Sequence, residues 1–536
     1  MPAAAPAAAA PSRRTRLIRK MNRARHHRRA RAFPLALLIA ACAVAPPVSA
    51  RAQPAEASAD AAKASVASEI RAGVSGKLKD FYGPRGYWPL WVEKDAIGPQ
   101  ADALLALIAS VDVDGLDPRD YDPRGLQRLI EEADASPTPK ALARADLALS
   151  KAFAALVADM RRPARGIGMR YLDPEVEPRD PDPSDLLRAA AVTPSLTDYI
   201  QTAGWMSSFY MRLRTARADY RARWGDLPGV TVPEGVKLRP GGSTPEIALL
   251  RHRLGLAQGA AYDQALAARV RAFQSDHGLS ADGIAGGQTI SALNRGPAYY
   301  DRQLALNMER ARLLPGPWVR HVVVDAASAR LWYYSKGALD GTMKVVAGAK
   351  ESQTPMMAGM IRYATLNPYW NIPPDLVQSR VAPKILKGAS LKGMHYEALA
   401  DWSANPAPLA QSAVDWGSVA AGRSEVRVRQ LPGGDNAMGR VKFMFPNDLG
   451  IYMHDTPSRD LFAKPARHFS NGCVRLENAQ RLGRWFFGKQ PVADGSTPEQ
   501  HRPLPQPVPV YLTYLTAVPT AQGVQFLPDV YGRDGD

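Results

Sequence analysis

Gly450-Ile451-Tyr452-Met453-His454-Asp455-Thr456-Pro457, followed by Phe469-Ser470-Asn471-Gly472-Cys473-Val474-Arg475, organises the reading of this 536-residue chain. The second stretch holds one of only two cysteines; the other, Cys42, lies in an apolar N-terminal run. An unpaired cysteine in a chain with export features is a better nucleophile than structural element. A thiol that attacks an acyl carbon needs a lowered pKa or an adjacent base. The base needs a group that orients it, and the developing oxyanion needs donors. His454, 19 residues upstream of the cysteine, ends a short apolar run that reads as a strand and is the candidate base. His468, five residues upstream, is its rival. The carbonyl of Asp455 or a near neighbour is the candidate holder of the imidazole tautomer. The N–H of Gly472 or Cys473 is the candidate oxyanion donor, and Ser470 flanks the thiol in the same loop. Arg475 lowers the thiol pKa, grips a substrate carboxylate, or pairs with Glu477; the sequence leaves these open. A single cysteine with scattered histidines lacks zinc-ligand spacing, so no metal and no cofactor are expected.

Around this segment the hydrophobic pattern is that of strands. His321–Asp325, Ala329–Tyr334 and Met343–Gly348 are short β-branched or aromatic runs separated by Gly, Asp and Ser. Arg440–Phe445 begins in strict alternation, and Val508–Leu515 is a further strand. Residues 316–516 therefore read as a β-rich sandwich or barrel, with one helix over Glu477–Phe487. Within it, 374–440 loses the pattern and reads as a capping or lid insertion. The competing reading is a surface subdomain whose own core contains Trp402 and Trp416. Residues 517–536 read as a C-terminal tail.

Upstream the period is helical. Residues 65–232 form a mostly helical scaffold with an aromatic, turn-rich entry at Phe81–Trp91 and an apolar stripe through Leu147, Leu149, Phe153, Leu156 and Met160. Residues 162–195 read as irregular. A long helix is expected over 196–224, with Ile200, Trp205, Phe209 and Leu213 inward. Its arginines (Arg212, Arg214, Arg217, Arg221, Arg223) read as a solvated face. Residues 237–296 carry three short helices, the first opened by Thr244 and Pro245. The whole is a multidomain α+β chain.

Residues 13–31 are densely basic, Phe33–Ala45 is apolar, and Val48-Ser49-Ala50 is a small-residue exit, so 1–50 reads as a secretory signal and 51–64 as a flexible linker. Cleavage after Ala50 gives a periplasmic protein; Ile39-Ala40-Ala41-Cys42 alternatively resembles a lipobox that would tether the chain to a membrane through Cys42. Residues 1–50 hold ten Lys/Arg and no Asp or Glu, so the net +17 falls to +7 without them. That mild excess gives no case for nucleic acid and suits an anionic wall polymer as well as an ordinary surface.

The joint spacing of Val270, Phe273, Gln274, Gly278, Leu279, Asp282, Gly283, Gly286, Thr289, Ala292 and Leu293 resembles the three-helix peptidoglycan-binding module, which implies wall contact, though such modules also act as spacers. Tyr452 to Arg475, with an upstream His and then Ser-x-Gly-Cys followed by Arg, resembles the active-site motif of the bacterial L,D-transpeptidases. The three-part layout is similar to the large proteobacterial murein members. The resemblance implies that Cys473 and His454 are the catalytic pair. It also implies that Tyr369 and Trp370, in Asn367–Pro374, line the cleft with Tyr452 and Arg475. Asn471 stands where many members have His, a departure at a position that shapes the loop or binds the acceptor. The implied reaction is attack of Cys473 on the diamino acid(3)–D-Ala(4) bond of a peptidoglycan stem, then transfer from the thioester to an amine of a second stem as a 3→3 crosslink. Carbapenems would acylate the same thiol. Water, a D-amino acid or an outer-membrane protein lysine are alternative acceptors, and a non-catalytic wall-binding protein is the alternative of a different class.

Overall fold

In the computed structural model, residues 54–535 are described apart from 165, 521 and 522. The expected signal, including Cys42, lies outside the described residues.

The β-branched runs form strands because their alternate residues fill one closed interior. The barrel strands are β1 (His321–Asp325), β2 (Arg330–Ser335), β3 (Ala338–Gly348), β4 (Met357–Leu366), β5 (Val441–Met444), β6 (Met453–His454), β7 (Val474–Leu476) and β8 (Gln500–Thr513). Their order is β5-β6-β7-β3-β2-β1-β8-β4, and β4 pairs back onto β5, from Leu366↔Val441 to Tyr363↔Met444. Among the described residues these eight strands therefore close into a barrel. Its core includes Val322, Val345, Phe443, Met453, Val474 and Leu512, with Leu482 and Phe486 of the helix Ala479–Phe487 packed against it. The pairs β6–β7 and β8–β1 are parallel.

The insertion has its own four-stranded sheet, in the order Pro408–Leu409, Tyr396–Leu399, Arg427–Gln430, Trp370–Ile372. Its core includes Ile372, Val377, Val381, Ala398, Trp416 and Val428. Trp416 fills that core and donates its indole N–H to the Gln411 carbonyl (2.9 Å). Trp402 does not: it is 61% exposed, with the Arg427 guanidinium 5.5 Å from its ring. Asn436, buried, donates to the Pro368 carbonyl (3.1 Å) and joins the insertion's exit to its entry.

Several sequence expectations differ from the fold. A helix, Pro54–Gly73, begins inside the stretch read as a flexible linker; its Ala-rich composition favours helix, and Val66 and Ile70 anchor it in the core. The long helix over 196–224 is two, Leu196–Gln201 and Ser208–Trp224, with Ala203 at φ 41° between them and Ser207 capping the second through the Tyr210 N–H (3.1 Å). The irregular stretch 162–195 contains the helix Pro183–Ala191 and the short strand Arg170–Tyr171, which pairs parallel with β4 at Met357 and Ala358. The tail folds back as the hairpin Ala517–Thr520/Gly523–Phe526. Beyond it, Asp534 pairs with Arg310 (2.7 Å).

The arginines of Ser208–Trp224 are not a uniform solvated face. Arg214 pairs with Asp114 (2.8 Å), Arg217 and Arg221 with Asp301 (2.8 and 2.7 Å), and Arg223 with Asp276 (2.5 Å). The last three fasten the scaffold to the helix Pro297–Arg312 and to the middle helix of the small module, Gln264–Asp276. At that junction His277 stacks on Phe273 (3.7 Å between centroids) and packs edge-on to Tyr300 (4.5 Å) and Tyr220 (5.6 Å). Phe526 of the hairpin lies 5.7 Å away, and burial pushes the imidazole down to about 4.

Asp301→Ala strands the mostly buried guanidinium of Arg217, so it is expected to destabilise the chain by about 2–4 kcal/mol. Arg119→Ala, which removes an exposed pair with Asp117 and leaves that residue's backbone cap in place, is expected to cost less than about 1 kcal/mol. Thermal melts of the two variants check the contrast; equal shifts would contradict it.

Candidate active site

The site is built by the parallel pairing of β6 and β7. Met453 faces Val474 and His454 faces Arg475. Met453 and Val474 are both fully buried in the barrel core. Because strand side chains alternate, Tyr452 and His454 on one strand, and Cys473 and Arg475 on the other, project from the opposite face. Lys442 on β5, register partner of His454, joins them. The Val474 N–H donates to the Tyr452 carbonyl (3.0 Å), which sets Cys473 level with Tyr452.

Cys473 is half-buried, and its resting hydrogen bond runs from Sγ to the Gly450 carbonyl (3.5 Å). Burial pushes the thiol up to about 11, against the opposing pull of the Tyr452 amide and phenol on the sulfur and of the nearby Arg475 and Lys442 charges. His454 is 2% exposed, and its Nδ1 meets the Asp455 carbonyl at 2.6 Å. A carbonyl only accepts, so Nδ1 carries the proton and Nε2 holds the lone pair in the neutral ring. Burial, then the Arg475 charge, push this imidazole down to about 3, with Lys442 adding to the effect and the Asp455 carbonyl opposing it. The two groups are thus a neutral thiol and a neutral imidazole on one face. No hydrogen bond joins them among the described residues; catalytic hydrogen bonds in an unliganded site are often long and tighten with substrate.

His468 donates from Nε2 to the Ala326 carbonyl (2.9 Å), and its ring packs edge-on to Tyr531 (5.7 Å). Ser470, buried, donates to the Cys473 carbonyl (2.5 Å) and accepts the Gly472 N–H (3.3 Å). Gly472 has φ +105°, and a Cβ there would meet Ile451 Cδ1 at 2.9 Å, so the loop requires glycine. Asn471 is exposed. Arg475 makes no ion pair among the described residues, and its Nε is buried without a partner. Glu477 instead accepts the Lys344 N–H (3.0 Å), so the Arg475–Glu477 pair that the sequence left open is not formed. Arg380, from the insertion, adds a second positive charge beside Arg475.

Tyr369 lies at the root of the insertion under the Arg429 guanidinium (3.8 Å), and its N–H donates to Glu499 (2.7 Å). Glu499 also holds Lys442 (3.2 Å), whose ammonium is 5.9 Å from the Tyr452 ring centre. Tyr369 is therefore linked to the thiol's face, whereas Trp370 packs against the insertion's core. Lys442, Glu499 and Arg380 carry no sequence signal, because no local pattern marks residues that meet only across the fold. A cavity of about 550 Å³ opens between Gly433, Arg440 and Arg484, and neither Cys473 nor His454 lines it. Among the described residues no group of three His, Cys, Asp or Glu is placed to hold a metal.

Three stretches match known domain families. Residues 76–216 match the "Scaffold domain", 251–293 the "Putative peptidoglycan binding domain", and 319–498 the "L,D-transpeptidase catalytic domain". The C-terminal domain belongs to the L,D-transpeptidase family. A Haemophilus influenzae protein described as "Putative L,D-transpeptidase" is 32% identical over 240 residues, 44% of this chain and 48% of that protein. The chain thus spans about half the length of the curated relative it matches. Among solved structures, an L,D-transpeptidase from Xylanimonas cellulosilytica is 17% identical, covering 53% of this chain and 98% of its own, with a TM-score of 0.18. One from Mycobacterium smegmatis is 13% identical, covering 36% and 58%, also at 0.18. The matched domains imply a cell-wall location, and no helix among the described residues is long and apolar enough to cross a membrane.

In the L,D-transpeptidase domain the raised thiol predicts slow alkylation near neutrality. The rate of Cys473 modification by iodoacetamide, followed on its own peptide by mass spectrometry, is expected to climb with pH without levelling until well above the usual thiol value of about 8.5. Levelling at about pH 7 would contradict it.

Proposed function

We propose that this protein is a peptidoglycan L,D-transpeptidase of the periplasm that uses Cys473 as nucleophile and His454 as general base. The observation that carries the reading is the β6–β7 register, with thiol and imidazole on the one face that the barrel core does not use. As the Cys473 sulfur bonds to the carbonyl carbon of the third stem residue, its proton passes to His454 Nε2. The C–N bond to the terminal D-alanine then breaks, and the imidazolium gives its proton to the departing amine. The thioester is next attacked by the side-chain amine of a second stem. That amine's proton goes to His454, the C–S bond breaks, and the proton returns to sulfur. A neutral pair suits this cycle: the base is free to accept without first losing a proton of its own.

The remaining roles are assigned by chemistry. The Gly472 N–H is given to Ser470, so the Cys473 N–H is the oxyanion donor. Arg475, which pairs with no anion among the described residues, receives a stem carboxylate. Tyr452 steadies the sulfur, Ser470 and Gly472 shape the loop, and exposed Asn471 faces the acceptor. Tyr369 and Trp370 belong to the insertion side of the cleft. The peptidoglycan-binding module holds the same polymer, and carbapenems acylate the same thiol. A removed signal segment delivers the chain.

Incubation with a carbapenem is expected to add one drug mass, abolished by Cys473→Ala; with purified tetrapeptide muropeptides the expected product is a 3→3 dimer with release of D-alanine. D-alanine release without dimer would leave only hydrolysis. His454→Ala is expected to slow carbapenem acylation by about 100-fold or more, and His468→Ala by much less; the reverse order would reassign the base. The lowered imidazole stays base-competent as pH falls, and the raised thiol stays protonated as pH rises. Acylation is therefore expected to be nearly flat from about pH 5 to about pH 9, where a free thiolate mechanism would climb about tenfold per unit below about pH 8.5.

A further inference from the structure

The Gly472–Cys473 peptide is gripped from beneath. Thr354, fully buried in the turn between β3 and β4, donates its hydroxyl to the Gly472 carbonyl (2.8 Å) and accepts the Gly348 N–H (2.9 Å). Tyr531 backs the same turn: its hydroxyl donates to the Gly348 carbonyl (2.7 Å) and lies 3.4 Å from the Thr354 N–H, which it accepts. Tyr531 is itself buried, with its ring stacked on Tyr514 at 4.9 Å. Cross-bonds lock the two segments together: Arg533 donates to the Thr354 carbonyl (3.1 Å), and Gln353 to the Tyr531 carbonyl (3.0 Å).

The Gly472 carbonyl and the Cys473 N–H belong to one trans peptide and point in opposite directions. Thr354, by holding the carbonyl from below, fixes where the N–H points. The groups next to it are committed: Gly472 N–H and Cys473 carbonyl to Ser470, and Val474 N–H to Tyr452. The Cys473 N–H meets no acceptor among the described residues.

We propose that Thr354 is a positioning residue that aims the Cys473 amide at the developing oxyanion, with Tyr531 of the C-terminal segment as its backing. The inference rests on the acyl-transfer reading above. The amide is worth most where its direction is fixed before the charge develops, since no reorganisation is then needed during the reaction. A carbonyl held by a buried hydroxyl deep in the fold supplies that fixity at a site whose own loop has no helix to stiffen it.

Two reagents separate aim from reactivity, applied to the full chain at pH 8. When sulfur attacks a carbapenem carbonyl an oxyanion forms, the ring C–N bond then breaks, and the thiol proton ends on the ring nitrogen. When sulfur displaces iodide from iodoacetamide no oxyanion forms. Thr354→Val keeps the side-chain volume and loses the hydroxyl. It is expected to lower the second-order carbapenem rate constant about tenfold to 100-fold, with alkylation of Cys473 changed by less than about twofold. Thr354→Ser is expected to restore the carbapenem rate, and Tyr531→Phe to slow it by a smaller factor, again without slowing alkylation. An unchanged carbapenem rate in Thr354→Val, or an equal fall in both rates, overturns the proposal. If Thr354→Val does not fold, Tyr531→Phe decides on the same two rates. A wild-type chain that alkylates but never acylates defeats the acyl-transfer reading itself, and this inference with it.

Discussion

The parallel pairing of β6 with β7 is the constraint on which the rest of the catalytic domain depends. A strand offers alternate residues to opposite faces, so one register fixes two things at once. With Met453 against Val474, the barrel gains two fully buried apolar side chains. The same register leaves His454, Arg475, Tyr452 and Cys473 on the outer face. A slip of one residue would drive an imidazole and a guanidinium into the core and expose a methionine and a valine. Stability of the barrel and placement of the reactive face are therefore one decision made twice.

The outer face is crowded with positive charge. Lys442 and Arg475 act on the sulfur, Arg380 stands beside Arg475, and Glu499, bound to Lys442, is the counter-charge described there. Yet the thiol sits high, because loss of water around it outweighs the attraction of its cationic neighbours. The same two influences act in concert on His454, and both keep it neutral. On the proposed reading, cations in this arrangement serve the substrate's carboxylates and the transient oxyanion more than a resting thiolate.

Much of this is legible in the order of residues alone. Short β-branched runs mark the strands, Thr244 and Pro245 mark the start of the helix Pro245–Arg253, and an unpaired cysteine with an upstream histidine marks the segment to which the proposed chemistry is assigned. Closure is not legible: β4 returns to β5 across the 374–440 insertion, and no local pattern encodes a pairing over that separation. The ion-paired arginines of Ser208–Trp224 read as solvated because their partners, Asp114, Asp276 and Asp301, are far away in the chain. Trp402 and Trp416 look alike as letters, yet Trp416 lies in the insertion's core and Trp402 on its surface. Thr354 and Tyr531 carry no signal at all, since a lone threonine and a lone tyrosine acquire meaning only where the backbone brings a glycine carbonyl to them.

The C-terminal hairpin has a mechanical consequence. Phe526 is wedged into the aromatic cluster around His277 in the small module, while a few residues later Tyr531 and Asp534 are tied into the barrel and Arg310. The chain end thus acts as a strut between the part that resembles a wall anchor and the part that carries the thiol. Anchor and thiol cannot drift apart on a slack leash. If the anchor grips a glycan, the sulfur sweeps a short, fixed radius about that grip, and the spacing of neighbouring strands selects which stems fall inside it.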